Sequence, residues 1–518
     1  MIHYTRHIVF FAALTLPAAV RAQAAPSDGT QAQPIAQAAP AEATPAAPAP
    51  DTSAPAAAPT PPPAPGPAAA DAARLEEVEQ LARIAARKHE LLEEQAEKRA
   101  KEAPKLSIDD KGFALSLPDK SFVLKIRGLL QADGRFFAKS ETLQANDTFL
   151  IRRFRPAIEG TLFSIVDYRL IPEFAGTVQI LDAYVDLHPR EWLRLRVGKM
   201  KAPIGLERLQ SDADLPLLER ALDQNLSSQR DVGVQLWGDV AGGIVQYTIG
   251  IFNGAADTTG ADTDLNHAKD IQGRLFVQPF KTEALSEFGN LGVGVSVGTG
   301  NRKGAADPAT GLRTPLAPFQ TGLAPFRTSG QRTFFQYLAP STDTTGAATV
   351  FTHERATRVN PQLYYYYGPF GLLAEYLWLK QGVQKGTNIT ELTQRAAHAT
   401  ISFSIGGTEG YDGSTPEHPF DPGQGRWGAL QLAARVGWLG IDDDTFPTYA
   451  NPVTSARSAK AFAGGVAWIP RRTLKLALNY EQTVFEGGAG TAATGTMDAV
   501  IRDRATEYLI LGRAQVNF

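Results

Sequence analysis

Beyond Pro104 the chain alternates apolar or small side chains with polar ones, and this period of two constrains its fold more than any other feature. Phe122, Leu124, Ile126, Gly128, Leu130, Ala132, Gly134 and Phe136 fall on one face of a strand. Lys125, Arg127, Gln131, Asp133 and Arg135 fall on the other. At the far end Tyr508, Ile510, Ala514, Val516 and Phe518 oppose Glu507, Arg513, Gln515 and Asn517. Similar dyads recur at 178–188, 245–251, 270–278, 358–367, 430–438 and 474–481. A soluble sandwich would bury the apolar face; a membrane barrel would turn it to lipid.

Three features favour the barrel. Several runs approach the roughly 9–11 residues that a tilted strand needs to cross a bilayer. Aromatics such as Phe136, Trp192, Trp237, Trp427 and Trp468 stand near strand ends, where interfacial girdles form. Short turns near 165–167, 188–192, 239–243 and 367–370 alternate with long loops at about 203–229, 255–267, 302–356 and 486–502. The segment 407–426 is the exception, since parity puts it among the short turns. The count predicts an all-β, transmembrane antiparallel barrel of about 16 strands over 105–518, with a water-filled lumen. A mean hydropathy of −0.18 without long apolar runs excludes a multi-span helical protein and leaves this barrel untouched.

The first 104 residues have another character. Arg6, the apolar run 8–20 and the small residues Ala22 and Ala24 read as a signal peptide over 1–24. Residues 25–70 are an Ala/Pro-rich tether too poor in large apolar groups to fold. From 71 to 103 a helix is predicted, in which Leu75, Val78, Ala82, Ala85, His89, Leu92 and Ala96 repeat at heptad spacing. It reads either as a coiled coil between identical subunits or as a single solvated helix. His89 is a seam or surface residue, without a partner set that would make it a ligand.

In the lumen, alternation points Lys125, Arg127 and Arg135 inward from the first strand, and Arg153 and Arg155 from the second. Arg152 is expected on the opposite face. Arg169, Arg194, Arg196, Arg274, Arg358, Arg435, Lys475 and Arg513 are further inward candidates. Guanidinium groups suit anions because they offer a planar fork of donors that stays charged. The loop 203–229 is the candidate constriction, with a helical stretch over 215–222 and with Arg208 and Arg220 toward the narrowest part. Lys199 and Lys201 face outward by parity unless Gly198 interrupts the strand. Against anion contact stands pairing with wall acids: the first 104 residues hold 9 basic and 12 acidic groups, so 42 of each remain in the barrel.

Catalytic patterns are weak. Gly294-Val-Ser-Val-Gly298 matches G-x-S-x-G, but Ser296 lies within a continuing strand and not at a strand-to-helix elbow. His353-Glu354 lacks the second histidine of a zinc helix. Asp442 to Asp444 form an acidic loop, read as solvated, that offers carboxylates to Ca²⁺. The absence of cysteine removes disulfides and thiolate chemistry. With no paired-carboxylate or phosphate-loop constellation, neither an enzyme nor a cofactor is expected. A net charge of −3 gives no pull toward nucleic acid.

Linked motifs carry a resemblance. They are Phe149 to Arg155 (FLIRRFR), Glu159 to Phe163 (EGTLF), Asp167 to Arg169 (DYR), Arg196 to Gly205 (RVGKMKAPIG), Leu217 to Arg220 (LLER), Arg230 to Gln235 (RDVGVQ) and Gly250 to Gly254 (GIFNG). In order and spacing the chain resembles the phosphate-selective porin (O and P type) family over about 110–518. The resemblance implies a homotrimer in the outer membrane of a Gram-negative bacterium, an inward-folding third loop and basic residues that guide phosphate or other small anions. It also implies that Phe518 is read by the barrel-assembly machinery. The N-terminal segment would then lie in the periplasm, where residues 25–103 are placed to reach the cell wall. Two alternatives stay open: a general or sugar-conducting porin, hinted at by the run Tyr364 to Tyr367, and an envelope-tethering protein that uses the barrel as its anchor.

Overall fold

The computed structural model describes residues 67–109, 112–138, 145–254, 267–281, 287–304, 320–343, 345–491 and 499–518. The expected signal peptide, the tether up to residue 66 and parts of the loops 255–267, 302–356 and 486–502 lie outside the described residues. The chain divides into two compact units, Met1–Ala85 and Ala86–Phe518.

Helix α1 spans Pro67–Glu102, four residues earlier than its expected start. Proline is well placed at a first helical position, because its missing N–H would have no partner there. Leu75, Val78, Leu81, Ile84 and Leu92 are exposed along α1. Ion pairs such as Arg83–Glu79 at 3.7 Å and Arg87–Glu90 at 2.6 Å link its turns. No helix among the described residues is long and apolar enough to cross a membrane, which says nothing against crossing by strands.

Sixteen antiparallel strands build the barrel: β1 (Phe122–Ala138), β2 (Thr148–Leu162), β3 (Val166–Glu173), β4 (Gln179–Arg190), β5 (Leu193–Lys201), β6 (Arg230–Val240), β7 (Val245–Phe252), β8 (Asp270–Val277), β9 (Leu291–Asn301), β10 (Val350–Tyr367), β11 (Phe370–Lys385), β12 (Asn388–Ile405), β13 (Ala429–Gly440), β14 (Ala456–Arg471), β15 (Leu474–Thr491) and β16 (Glu507–Asn517). Each strand pairs with the next, and β16 returns to β1 from Tyr508↔Ala138 to Asn517↔Leu129. The sheet is therefore closed and has no free edge, as a barrel in lipid requires. The terminal residue continues the seam, since the amide of Phe518 donates to the Gly128 carbonyl at 3.1 Å and the Gly128 amide donates back at 2.9 Å.

A hairpin precedes the first barrel strand. Lys105–Asp109 and Gly112–Ser116 form a hairpin whose second strand pairs with residues 123–126 of β1. One edge of β1 is thus shared end to end between this hairpin and β16.

Outside, Ile126, Leu130, Ile158, Ile249, Ile251, Leu432 and Leu478 present an apolar surface. Aromatic pairs rim it: Phe122–Phe163 and Phe420–Trp468 on the short-turn side, Phe136–Phe149 on the long-loop side. Inside, the lumen of β11 to β15 is filled. Leu377, Leu379, Val383, Leu392, Leu439 and Phe485 project inward and meet Phe326, Phe334, Phe335 and Tyr337 from the loop between β9 and β10. This apolar interior breaks the polar-inside pattern of a simple pore, and residue alternation alone gave no sign of it.

Candidate functional site

The segment 202–229, between β5 and β6, lies folded inside the barrel and is held in part by its backbone. Inward wall residues donate to its carbonyls: Gln131 to Asp212 at 3.1 Å, Lys475 to Leu215 at 2.7 Å, Arg513 to Leu218 at 2.7 Å, Arg435 to Glu219 at 2.7 Å, and Arg358 to Leu226 at 2.9 Å. Arg358, Arg435, Lys475 and Arg513 do point inward, as parity required. They act as pegs for the loop. From the short-turn side the insertion 406–428 also reaches in, where the Tyr411 hydroxyl donates to the Leu206 carbonyl at 2.7 Å. Glu409 anchors that insertion by accepting from Ser402 at 2.7 Å and from Gln431 at 2.9 Å.

The basic groups on β1 to β5, joined by Arg332 and Arg504 of two long loops, by Arg220 and by Arg513 of β16, form three levels along the wall. Near the long-loop mouth, Arg135, Arg332 and Arg504 line a cavity of about 390 Å³ with Asn146, Thr148 and Thr333. Arg135 stands 3.6 Å from Glu219, and Arg332 stands 3.7 Å from Glu507. At mid-height Asp212 and Glu219 of the loop gather the cations. Asp212 accepts from Arg155 and Arg220 and lies 3.2 Å from Arg153; Glu219 accepts from Arg152 at 2.6 Å and from Arg513 at 3.1 Å. Toward the short-turn mouth Lys125, Arg127, Arg169, Arg194 and Arg196 stand with Glu159, Asp167 and Asp186. Arg127 and Arg169 share Glu159 at 2.9 and 2.6 Å, Arg194 meets Asp167 at 2.8 Å, and Arg196 meets Asp186 at 2.6 Å. The guanidinium groups of Arg194 and Arg196 also lie over the Trp237 ring, at 4.3 and 4.8 Å.

Charge and burial oppose one another at the loop carboxylates. Burial alone would raise the pKa of Asp212, yet Arg153, Arg220 and Arg155 hold it well below its ordinary value. Glu219 is likewise lowered against burial by Arg152 and Arg153. Asp214 has weaker cationic company, and burial pushes it up to about 6.

A family profile described as phosphate-selective porin O and P matches residues 124–484. The chain belongs to that family. As a porin it is a channel of the Gram-negative outer membrane. Among curated proteins none matches its sequence. Solved structures similar to it include OmpT, an outer membrane protein of Vibrio cholerae in trimer form, at 10% identity and a TM-score of 0.46 over 77% of this chain and 100% of that one. An anion-selective porin from Comamonas acidovorans matches at 11% identity and 0.45, over 77% of this chain and 100% of that one. The outer membrane channel DcaP of Acinetobacter baumannii matches at 9% and 0.45, over 77% and 98%.

In this porin two local expectations fail for traceable reasons. Arg152 turns inward, because the register with β1 shifts between Gln131 and Ala132 and so places Arg152 as an extra residue beside Arg153. The helical stretch expected over 215–222 is absent; short helical turns lie at Leu206–Leu209 and Leu222–Asn225. Carbonyls of residues 215, 218 and 219 are taken by wall cations and are not free for a helix. β5 runs through Gly198, with φ of +129°, without a register shift, yet Lys201 Nζ turns inward to the carbonyls of Leu209 and Gln210 at 3.2 and 2.9 Å, and Lys199 is buried.

Of the other predicted residues, Arg153 also bonds Gln131 at 2.7 Å, and Arg155 also bonds Glu173 at 2.5 Å. Arg274 bonds the Gln362 amide oxygen at 2.9 Å. Arg208 bonds Gln229, and Arg220 also donates to the carbonyls of Glu207 and Gln210. Ser296 is buried within β9 and accepts from Gln362 at 2.8 Å, so the G-x-S-x-G pattern is a strand segment. Asp442 caps the amide of Asp444, and Asp443 pairs with Arg457.

Proposed function

We propose that this porin is a homotrimeric passive channel for small hydrophilic solutes with a preference for anions, phosphate among them. The observation that carries this reading is the succession of basic groups on one wall. At the level near the short turns, five bases face three carboxylates, and Arg127 and Arg169 keep 36% and 38% of their side-chain surface exposed. Lys125 and Arg274 pair with no carboxylate among the described residues. Several weak cationic positions in series let an anion enter and also leave. The subunit contact would run through α1 as well as the barrel. In this reading Phe518 is presented to the assembly machinery and residues 25–103 extend into the periplasm toward the cell wall.

A general porin is the second reading, and one observation favours it: Arg127, Arg153, Arg155 and Arg169 each have an acidic partner. The sugar-conducting variant has less support, because the run of tyrosines divides between faces. Tyr364 and Tyr366 are buried in the lumen, while Tyr367 is exposed at the rim.

The test is the reversal potential of the purified channel in a planar bilayer under a KCl gradient, followed by phosphate titration. An anion-selective current that phosphate blocks is expected, and Arg135→Ala with Arg504→Ala should weaken the block. Weak selectivity without block would leave a general porin. Deleting residues 25–104 should leave conduction intact, whereas an envelope tether would lose its function.

A further inference from the structure

We propose that Glu207, Asp223 and His398 form a binding site for a divalent transition-metal ion, with Zn²⁺ the best match, and that the ion ties the folded-in loop to the barrel wall. Glu207 lies on the helical turn Leu206–Leu209 and Asp223 on the turn Leu222–Asn225, at opposite ends of the loop. His398 comes from β12. One ligand atom from each residue can be chosen so that all lie within 4.8 Å of one another, and all three residues are buried.

A cluster of acids is common without a metal, so the decisive observation is a second one. The His398 side chain is 0% exposed, yet neither ring nitrogen has a hydrogen-bond partner, and Asp223 Oδ1 has none either. His398 Nδ1 and Asp223 Oδ1 stand 3.0 Å apart, at ion-pair distance when the imidazole is protonated but short of hydrogen-bond geometry. Buried polar atoms seldom remain unused. The second ring nitrogen, Nε2, has no partner of any kind among the described residues, and a shared cation would use the groups that meet here.

The neighbouring groups are fixed in the way that a ligand set needs. Glu207 Oε2 accepts from the Ala221 amide at 2.9 Å, which orients that carboxylate. Glu375, whose Oε1 is 4.0 Å from His398 Nδ1, is already satisfied by the amides of Leu206 and Glu207 and by Gln224 and Asn360. It is therefore a supporting carboxylate and not a free ligand. An imidazole with two carboxylates suits Zn²⁺, whereas Ca²⁺ and Mg²⁺ favour all-oxygen shells. Three protein ligands leave a fourth position for water. A dication also offsets the two carboxylates, beside which Arg435 stands with Nη1 3.4 Å from Glu207 Oε1.

The test uses the full-length porin in detergent, stripped with EDTA and titrated with ZnCl2 by calorimetry and metal analysis. One Zn²⁺ per chain at micromolar or tighter affinity is expected, with no comparable heat from CaCl2. His398→Ala and, separately, the near-isosteric Asp223→Asn should each weaken binding by about tenfold or more. Circular dichroism checks the barrel, and should His398→Ala fail to fold, Asp223→Asn decides. Single-channel records should show a quieter constriction with Zn²⁺ than with EDTA in the wild type and no difference in the variants. Substoichiometric uptake by the wild type, or wild-type affinity in a folded variant, would overturn the site and leave His398–Asp223 an ion pair.

Discussion

Asp212 and Glu219 hold the middle of the channel together because each collects several arginines at once. Their lowered pKa values give the loop a definite response to acid. A depressed carboxylate stabilises the folded state fully above its unfolded value, about 4, and loses that contribution as the pH falls through its folded value. Asp214, raised to about 6, has the opposite sign: its contribution is present at low pH and fades as the pH rises through 6. Conductance in a planar bilayer should therefore change slightly near pH 6, where Asp214 titrates, and become larger and noisier as the pH falls below about 4 toward the depressed values of Asp212 and Glu219. A trace unchanged down to pH 2 would argue that the loop is fixed by other means. At this scale alternation pointed Arg127, Arg153, Arg155 and Arg169 inward, and each meets an acidic partner. It missed Arg152 because a bulge adds one residue to one strand, and no composition marks that. It placed Arg208 at the narrowest part, but this side chain is spent on Gln229.

Among elements, the strands were the most legible part of the sequence, since their period is enforced by lipid on one side. The loop was not. Leu215, Leu217 and Leu218 have an apolar spacing that resembles a helix, but Leu217 is buried against Ala433 and Ala463, and Leu218 against Phe137 and Leu509. Their spacing serves the barrel interior and not a helix of their own. Phe335, fully buried in the apolar filling, tests that filling. Phe335→Ala should cost about 3–5 kcal/mol, measured as lower resistance to denaturant with the strand content unchanged. Helix α1 invites a different probe, because the chain has no cysteine. Val78 is 64% exposed on the heptad seam. Under mild oxidation Val78→Cys should give a disulfide-linked dimer on a non-reducing gel, leaving one subunit in three unlinked. Glu76→Cys, off the seam, should link far less. Equal linking of both would leave α1 a solvated single helix.

For the whole molecule, the division of the lumen matters most. Loops and inward aliphatic side chains fill the region of β11 to β15, while the partly exposed bases stand on β1 to β5. If selectivity resides on that wall, replacing 206–226 with a short glycine linker should raise conductance severalfold and keep the anion preference. A reversal potential near zero in that variant would move selectivity into the loop. The closed barrel of sixteen strands was foreseeable from alternation and connection lengths. The filled half was not, because an apolar inward face is indistinguishable in sequence from an apolar outward one. The pegs that hold the loop have a further consequence. Gln131, Arg358, Arg435, Lys475 and Arg513 grip carbonyl oxygens, which every amino acid supplies alike. That part of the loop's hold does not depend on the side chains it carries, so away from Asp212, Glu219 and the buried leucines mutation is freer to rewrite what the constriction displays to a passing solute while the architecture around it stays still.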